Sequence, residues 1–240
     1  MSDLKTYVVA LATENPRRAE IAGKLDNLGI AFDFYDAVDG RKGLSSDWES
    51  QIDRPAATRA MHRPMSDAEF ACALSHREIY RAFLASDAKF ALILEDDALV
   101  DSALAEFLQN GGYRAAPILL LHHLNARVMG PERALAGSQS KAARLAMSAF
   151  RTAAYTLDRH TAERLLNALS PVQHTADWPI DLFDLGAYAA TPEIVGHPPL
   201  VSGSSAIEAS RSKANRPVSE LLSFSYLRRK WRKGRSRKVS

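Results

Sequence analysis

Short apolar runs alternate with helix-forming stretches through the first half of the chain, and this alternation constrains the fold more than any other feature. Residues 5–12 (KTYVVALA), 90–95 (FALILE) and 117–121 (PILLL) read as buried strands, and 30–36 (IAFDFYD) alternates as another. Between them the spacing predicts a helix from Thr13 to about Leu28, with Pro16 in its first turn and Gly29 as its stop. A second helix is predicted from Ser66 to about Ser86, opened by a capping box of Ser66 and Glu69. Asp101 or Ser102 caps a third, to about Leu108. Strand, helix, strand in this order predicts an α/β sheet with parallel pairs, in which ligands bind outside the carboxyl ends of the strands.

The second half is less regular. Strands are expected near 127–129, 145–149, 152–157, 187–190 and 193–196, with a helix over 159–169 capped by Asp158 and closed by Ser170-Pro171. Residues 41–64 carry no period and read as a long surface excursion. No internal repeat is present, no apolar run reaches the roughly 20 residues of a membrane-spanning helix, and residues 1–30 lack the pattern of a secretory signal. The single cysteine, Cys72, excludes an internal disulfide framework and fits a reducing compartment.

The strand at 90–95 ends in three adjacent acids, Glu95, Asp96 and Asp97. Alternation along an extended strand would put Glu95 and Asp97 on one face and Asp96 on the other. Two carboxylates sharing a strand end repel one another, and a hard divalent cation such as Mg²⁺ or Mn²⁺, taking oxygen ligands and substrate phosphates, would offset that repulsion. The alternative is a solvated loop whose Asp caps the next helix. Arg17 and Arg18 follow the first strand and could reach a diphosphate at the same edge, or form a solvated first-turn pair. Asp36 ends the second strand and could accept hydrogen bonds from a ribose or base, or form the turn before Asp39-Gly40. Glu69 reads as a capping residue first and His76, one turn after Cys72 on an apolar face, as a core histidine; both also stand as candidates for the nucleotide side of a site. Adjacent His122 and His123 would diverge on a strand, which argues against zinc there. Asp177, Asp181 and Asp184 would share one face of a helical turn, where Asp177 or Asp181 could serve as a general base and Trp178 could stack on a sugar.

Charge is distributed unevenly. Of 31 Lys and Arg, eight fall in residues 226–240, which hold no acid, so the rest of the chain has 23 basic against 28 acidic residues. This basic tail, with Tyr226 and Trp231, suits an anionic membrane surface, where each Lys or Arg contributes about 1 kcal/mol; the alternative is a disordered solubilising tail. Nothing elsewhere in the chain supports a nucleic-acid partner.

Taken in order, VVALA followed by RR, FYDAVDG, SDAEFACALSH, ALILEDD, TAAYTL and ADWPID resemble glycosyltransferase family 25, the bacterial lipooligosaccharide and lipopolysaccharide sugar transferases related to the collagen galactosyltransferases. The resemblance spans about residues 5–205, and EFACALSH with LEDD is its most specific part. It implies a GT-A-like fold, a Rossmann-like nucleotide-binding sheet merged with an acceptor-binding half, over residues 1–205, followed by a C-terminal extension over 206–240. It implies transfer of galactose or a related hexose from a UDP-sugar to a glycan hydroxyl, usually with inversion. On that pattern Leu11, Arg17 and Arg18 lie at the nucleotide, Glu95, Asp96 and Asp97 form the metal and donor motif with Mn²⁺ or Mg²⁺, and Asp177 and Asp181 face the acceptor. A lipid-linked acceptor would place the enzyme in the cytoplasm, held by its tail at the inner face of the inner membrane. Arg151 stands where family members commonly carry Gly, a departure that bears on donor choice, and the His122-His123 pair is not part of the pattern. Two other classes compatible with the residues are a metal-dependent phosphohydrolase of nucleotides or phosphosugars and a non-catalytic membrane-surface protein.

Overall fold

The computed structural model describes residues 3–199 and 224–240. Residues 206–223 of the expected extension lie outside them. The architecture is a nine-stranded mixed sheet with helices on both faces. In chain order the strands are β1 (Leu4–Ala10), β2 (Asp33–Asp36), β3 (Phe90–Glu95), β4 (Ile118–Leu120), β5 (Arg127–Ala134), β6 (Lys141–Leu145), β7 (Ala154–Asp158), β8 (Tyr188–Thr191) and β9 (Arg237–Lys238). The helices are α1 (Asn15–Asn27), α2 (Ser46–Glu49), α3 (Arg54–Met61), α4 (Asp67–Ala85), α5 (Ser102–Gln109), α6 (Arg159–Ala168) and α7 (Phe224–Gly234). The sheet order is β2-β1-β3-β7-β4-β8-β6-β5-β9.

Parallel pairing joins β1 to β2 and β3, and β4 to β8, while β7 runs antiparallel between β3 and β4. The carboxyl ends of β1, β2, β3, β4 and β8 therefore share one edge, and the start of β7 joins them there. Alternation divides the strands between two cores. Tyr7, Val9 and Ile93 pack with Phe70, Leu74, Phe83 and Leu165 of α4 and α6. Val8, Leu92 and Leu94 pack with Ile21, Leu25, Leu104 and Phe107 of α1 and α5. Each fully buried Leu, Ile or Phe contributes about 1.5–3 kcal/mol relative to exposure, so both helical layers are firmly seated on the edge they flank.

The caps at Ser66, Asp101 and Asp158 each accept the expected backbone N–H, and Ser66 and Glu69 form the reciprocal box. Thr13 does not cap α1; its hydroxyl instead accepts from Arg41. Residues 41–64, expected as an excursion without regular structure, contain α2 and α3, because Asp53 caps the Ala56 N–H and Pro55 suits the first turn. The strand expected at 145–149 does not form, since β6 lies before it and ends at Leu145, and 193–196 forms no strand but a single antiparallel bridge between Leu99 and Gly196. The predicted helical turn over 177–184 is absent: the segment is a series of turns, with Trp178 at φ 69°. The basic tail is not a loose appendage. It forms α7, and β9 pairs with β5 at the far edge of the sheet. Among the described residues no helix is long and apolar enough to cross a membrane.

Candidate active site

The acid triplet lies where the sequence places it, at the carboxyl end of β3, but the three side chains go three ways. The strand stops at Glu95 and turns, with Ala98 N–H donating to the Glu95 carbonyl at 3.1 Å. Glu95 turns toward α4 and the start of β7: Oε1 accepts from Thr152 Oγ1 at 2.6 Å and stands 3.5 Å from His76 Nε2. Asp96 faces α1, where Arg17 Nη1 donates to it at 3.4 Å. Asp97 is aimed by the turn at His197. The face shared by Glu95 and Asp97 on an ideal strand is thus lost, because the extended geometry ends one residue too early.

Asp97 and His197 meet because Leu99 and Gly196 exchange two backbone hydrogen bonds of 2.9 Å, which lays 196–197 beside the acid turn. His197 Nε2 stands 3.3 Å from Asp97 Oδ1. The approach is close enough for charge attraction but off the line of a hydrogen bond, and Oδ1 is buried without a hydrogen-bond donor among the described residues. Burial pushes the Asp97 carboxyl up, yet His197 and Arg17 outweigh it and hold the group below the ordinary aspartate value. The contact with Asp97 raises His197 in turn. Asp96 goes the other way: burial lifts it, Arg17 only partly offsets that, and Asp97 and Glu95 add to the rise. The His197 ring stacks on His122, at 5.2 Å between centroids, and His122 Nδ1 lies 3.0 Å from Glu193 Oε2. A cavity of about 490 Å³ opens beside this group, bounded by His123, Glu193, Gly196 and Ser240.

The other candidates are placed as follows. Leu11 follows β1 directly, and its carbonyl accepts from Glu14 N–H at 3.0 Å. Arg18 is held by Asp36 at 2.6 Å and lies over Phe34, so it braces the end of β2. His76 is buried, with Nδ1 2.8 Å from the Tyr155 hydroxyl, and so is both a satisfied core histidine and a neighbour of Glu95. Glu69 is 2% exposed and bound by two nitrogens of Arg63 and by the Ser66 N–H; its bonds are those of a helix cap. Asp177 Oδ1 accepts from the Arg151 N–H at 2.7 Å. Asp181 is occupied on both oxygens, by Phe183 N–H at 3.1 Å and by Arg232 of α7 at 2.5 Å. Trp178, expected as a sugar platform, is 6% exposed and packs edge-on against Tyr155, because the left-handed backbone at 178 turns its ring inward.

A model of glycosyltransferase family 25 (LPS biosynthesis protein) matches residues 3–183, about three quarters of the 240-residue chain. The chain belongs to glycosyltransferase family 25. Similar curated proteins include the lipooligosaccharide biosynthesis protein lic2B of Haemophilus influenzae, 29% identical over 102 residues, covering 42% of this chain and 36% of that protein. A glycosyltransferase 25 family member of Aedes aegypti is 36% identical over 95 residues, 38% of this chain and 16% of the relative. The lacto-N-neotetraose biosynthesis glycosyltransferase LgtB of Neisseria gonorrhoeae is 29% identical over 105 residues, 44% and 36% respectively. The match therefore spans little more than a third of these relatives at most. The family region runs from β1 past the acid turn to Phe183, while Glu193, His197 and α7 lie beyond it.

Arg151 has φ 78°. That is the left-handed region, which a glycine enters freely and an L-residue enters at a cost of roughly 1–2 kcal/mol. The same turn aims the Arg151 N–H at Asp177. Arg151→Gly is expected to stabilise the fold by about 0.5–1 kcal/mol in urea unfolding, once the greater freedom of glycine in the unfolded chain is deducted. A loss of stability would show that the arginine side chain, not the backbone, holds this corner.

Proposed function

We propose that this chain transfers a hexose, galactose or a close relative, from a UDP-sugar to a hydroxyl of a lipopolysaccharide or lipooligosaccharide acceptor, with inversion, on a GT-A-type fold. One observation carries the reading. At the edge where an α/β sheet receives nucleotides, a partly buried Asp97 faces His197 while Asp96 faces Arg17. The orphaned Oδ1 of Asp97 suits a Mn²⁺ or Mg²⁺ ion, which takes carboxylate oxygen together with substrate phosphates. When bound, such an ion supplies positive charge to the leaving nucleotide diphosphate.

The chain's own groups supply the rest. Arg17 is about half exposed and can turn from Asp96 to a phosphate oxygen. Asp36, held by Arg18 at the end of β2, leaves most of its carboxylate open to a ribose or base, with the Leu11 backbone beside it. Of the two acids that the resemblance puts toward the acceptor, we take Asp177, which accepts from the Arg151 N–H, as the base. Asp181 already accepts from Phe183 and from a buried guanidinium, so proton uptake there would break an ion pair. In this reading Asp177 removes the acceptor hydroxyl proton as the oxygen attacks the anomeric carbon. The test is transfer from a panel of UDP-sugars to core oligosaccharide, with and without Mn²⁺, for the wild type and Asp177→Asn. Turnover that depends on Mn²⁺ and falls at least a hundredfold in Asp177→Asn is expected. Release of free sugar or phosphate with no transfer would replace this reading with hydrolysis.

The tail is proposed to hold the enzyme at an anionic membrane. Leu227 and Trp231, four residues apart on one face of α7, are 52% and 54% exposed, while Arg232 is turned inward to Asp181. Lys230 and Lys233 remain exposed on the helix. Replacing both with Gln should weaken partitioning onto anionic vesicles by about 2 kcal/mol, roughly thirtyfold. Point variants are preferable to truncation, which would also remove β9 and the Arg232–Asp181 pair. Sedimentation with vesicles that is unchanged in the double variant would end the membrane role.

A further inference from the structure

Beneath the acid turn is a second set of ligand atoms that the transfer reaction does not use. Cys72 and His76, one turn apart on α4, and Glu95 at the end of β3 place a sulfur, a ring nitrogen and a carboxylate oxygen within 4.8 Å of one another. We propose that Cys72, His76 and Glu95 form a binding site for a borderline-soft divalent cation of the Zn²⁺ class, separate from the oxygen-rich donor site.

The geometry is close to what such an ion requires. Bonds of 2.0–2.3 Å at tetrahedral angles set neighbouring ligands about 3.5 Å apart, and His76 Nε2 is already 3.5 Å from Glu95 Oε1. A contraction of about 1 Å at the sulfur completes the three-ligand set, leaving the fourth position for water, as in open zinc sites. The outer shell is also built. The other nitrogen of His76 is fixed by Tyr155 at 2.8 Å, and the Tyr155 hydroxyl lies 2.9 Å from that of Tyr80. Glu95 is oriented by Thr152 at 2.6 Å. Partners of this kind fix the ring and carboxylate of metal ligands. Thiolate and imidazole together select Zn²⁺ over Mg²⁺ or Mn²⁺, so the two sites differ in the ion they take.

The surroundings are negative. Burial, and then the carboxylates of Glu95, Asp177 and Glu69, push the Cys72 thiol well up. A cation entering the site takes the place of the thiol proton, which leaves to solvent, and offsets that charge. It would also tie α4 to β3 directly behind Asp96 and Asp97.

The chain has one cysteine, which makes the test unambiguous. Co²⁺, the spectroscopic stand-in for Zn²⁺, is titrated into the full chain, and the thiolate-to-cobalt charge-transfer band is followed with circular dichroism as the fold control. The band is expected at one equivalent in the wild type and in Asp97→Asn. It should vanish in Cys72→Ser, and Glu95→Gln should bind at least tenfold more weakly. Zn²⁺ should raise the melting temperature of the wild type but not of Cys72→Ser. Absence of the band in folded wild type overturns the proposal, and so does a band with the same affinity in Glu95→Gln, which would mean that Glu95 is not a ligand. Neither outcome depends on sugar transfer.

Discussion

Asp97→Asn is expected to lower kcat for sugar transfer by about a thousandfold, roughly 4 kcal/mol of transition-state stabilisation. Asparagine keeps the volume and removes the charge, so the change isolates what the carboxylate does. Of the three acids at the turn, only Asp97 has a buried oxygen that no hydrogen bond engages among the described residues. Glu95 is engaged by Thr152, and Asp96 is met by Arg17. The loss should appear mainly in kcat, because charge developing on the leaving diphosphate is felt in the transition state. The substitution removes a partly buried charge whose partner, His197, can shed its proton, so the variant should melt no more than a few degrees from the wild type. Full activity of Asp97→Asn in the presence of EDTA would remove both the residue and the ion from the mechanism.

How much of this was legible in the sequence follows from the range of each interaction. The first three strands and α1, α4 and α5 are set by local patterns: apolar runs, the capping box at Ser66, and Asp101 at a helix start. The expectation that ligands bind at the carboxyl edge rests on the strand–helix alternation, and Glu95, Asp96 and Asp97 lie at that edge. What was not legible depends on distant pairs. His197 reaches Asp97 only through the Leu99–Gly196 bridge, and nothing around His197-Pro198-Pro199 announces it. Arg232 is one of eight basic residues in the tail and has no local mark that would single it out to enter the fold beside Asp181. The turn at Trp178 defeated a spacing argument, since residues at 177, 181 and 184 share a face only if the backbone is helical. Cys72 and His76 were visible as a helical pair, but their partner Glu95 comes from another element.

Arg63→Met should be the most destabilising single change outside the apolar core, at about 3–5 kcal/mol in urea unfolding. The Arg63 and Glu69 side chains are 6% and 2% exposed, and Arg63 also donates to the Pro64 carbonyl at 2.9 Å. Removing the guanidinium strands a carboxylate in the interior, which costs far more than the pair contributed net. The double variant Arg63→Met with Glu69→Gln should recover most of the loss, because Gln can still accept from the Ser66 N–H and complete the box at the start of α4. The consequence reaches the site, because α4 carries Cys72 and His76 to Glu95. A helix that frays at its first turn loosens the support behind the acid turn, so transfer by Arg63→Met should fall at temperatures well below its unfolding midpoint. A single variant that costs less than 1 kcal/mol, or a double variant no more stable than the single, would show that the pair is not what fixes the start of α4.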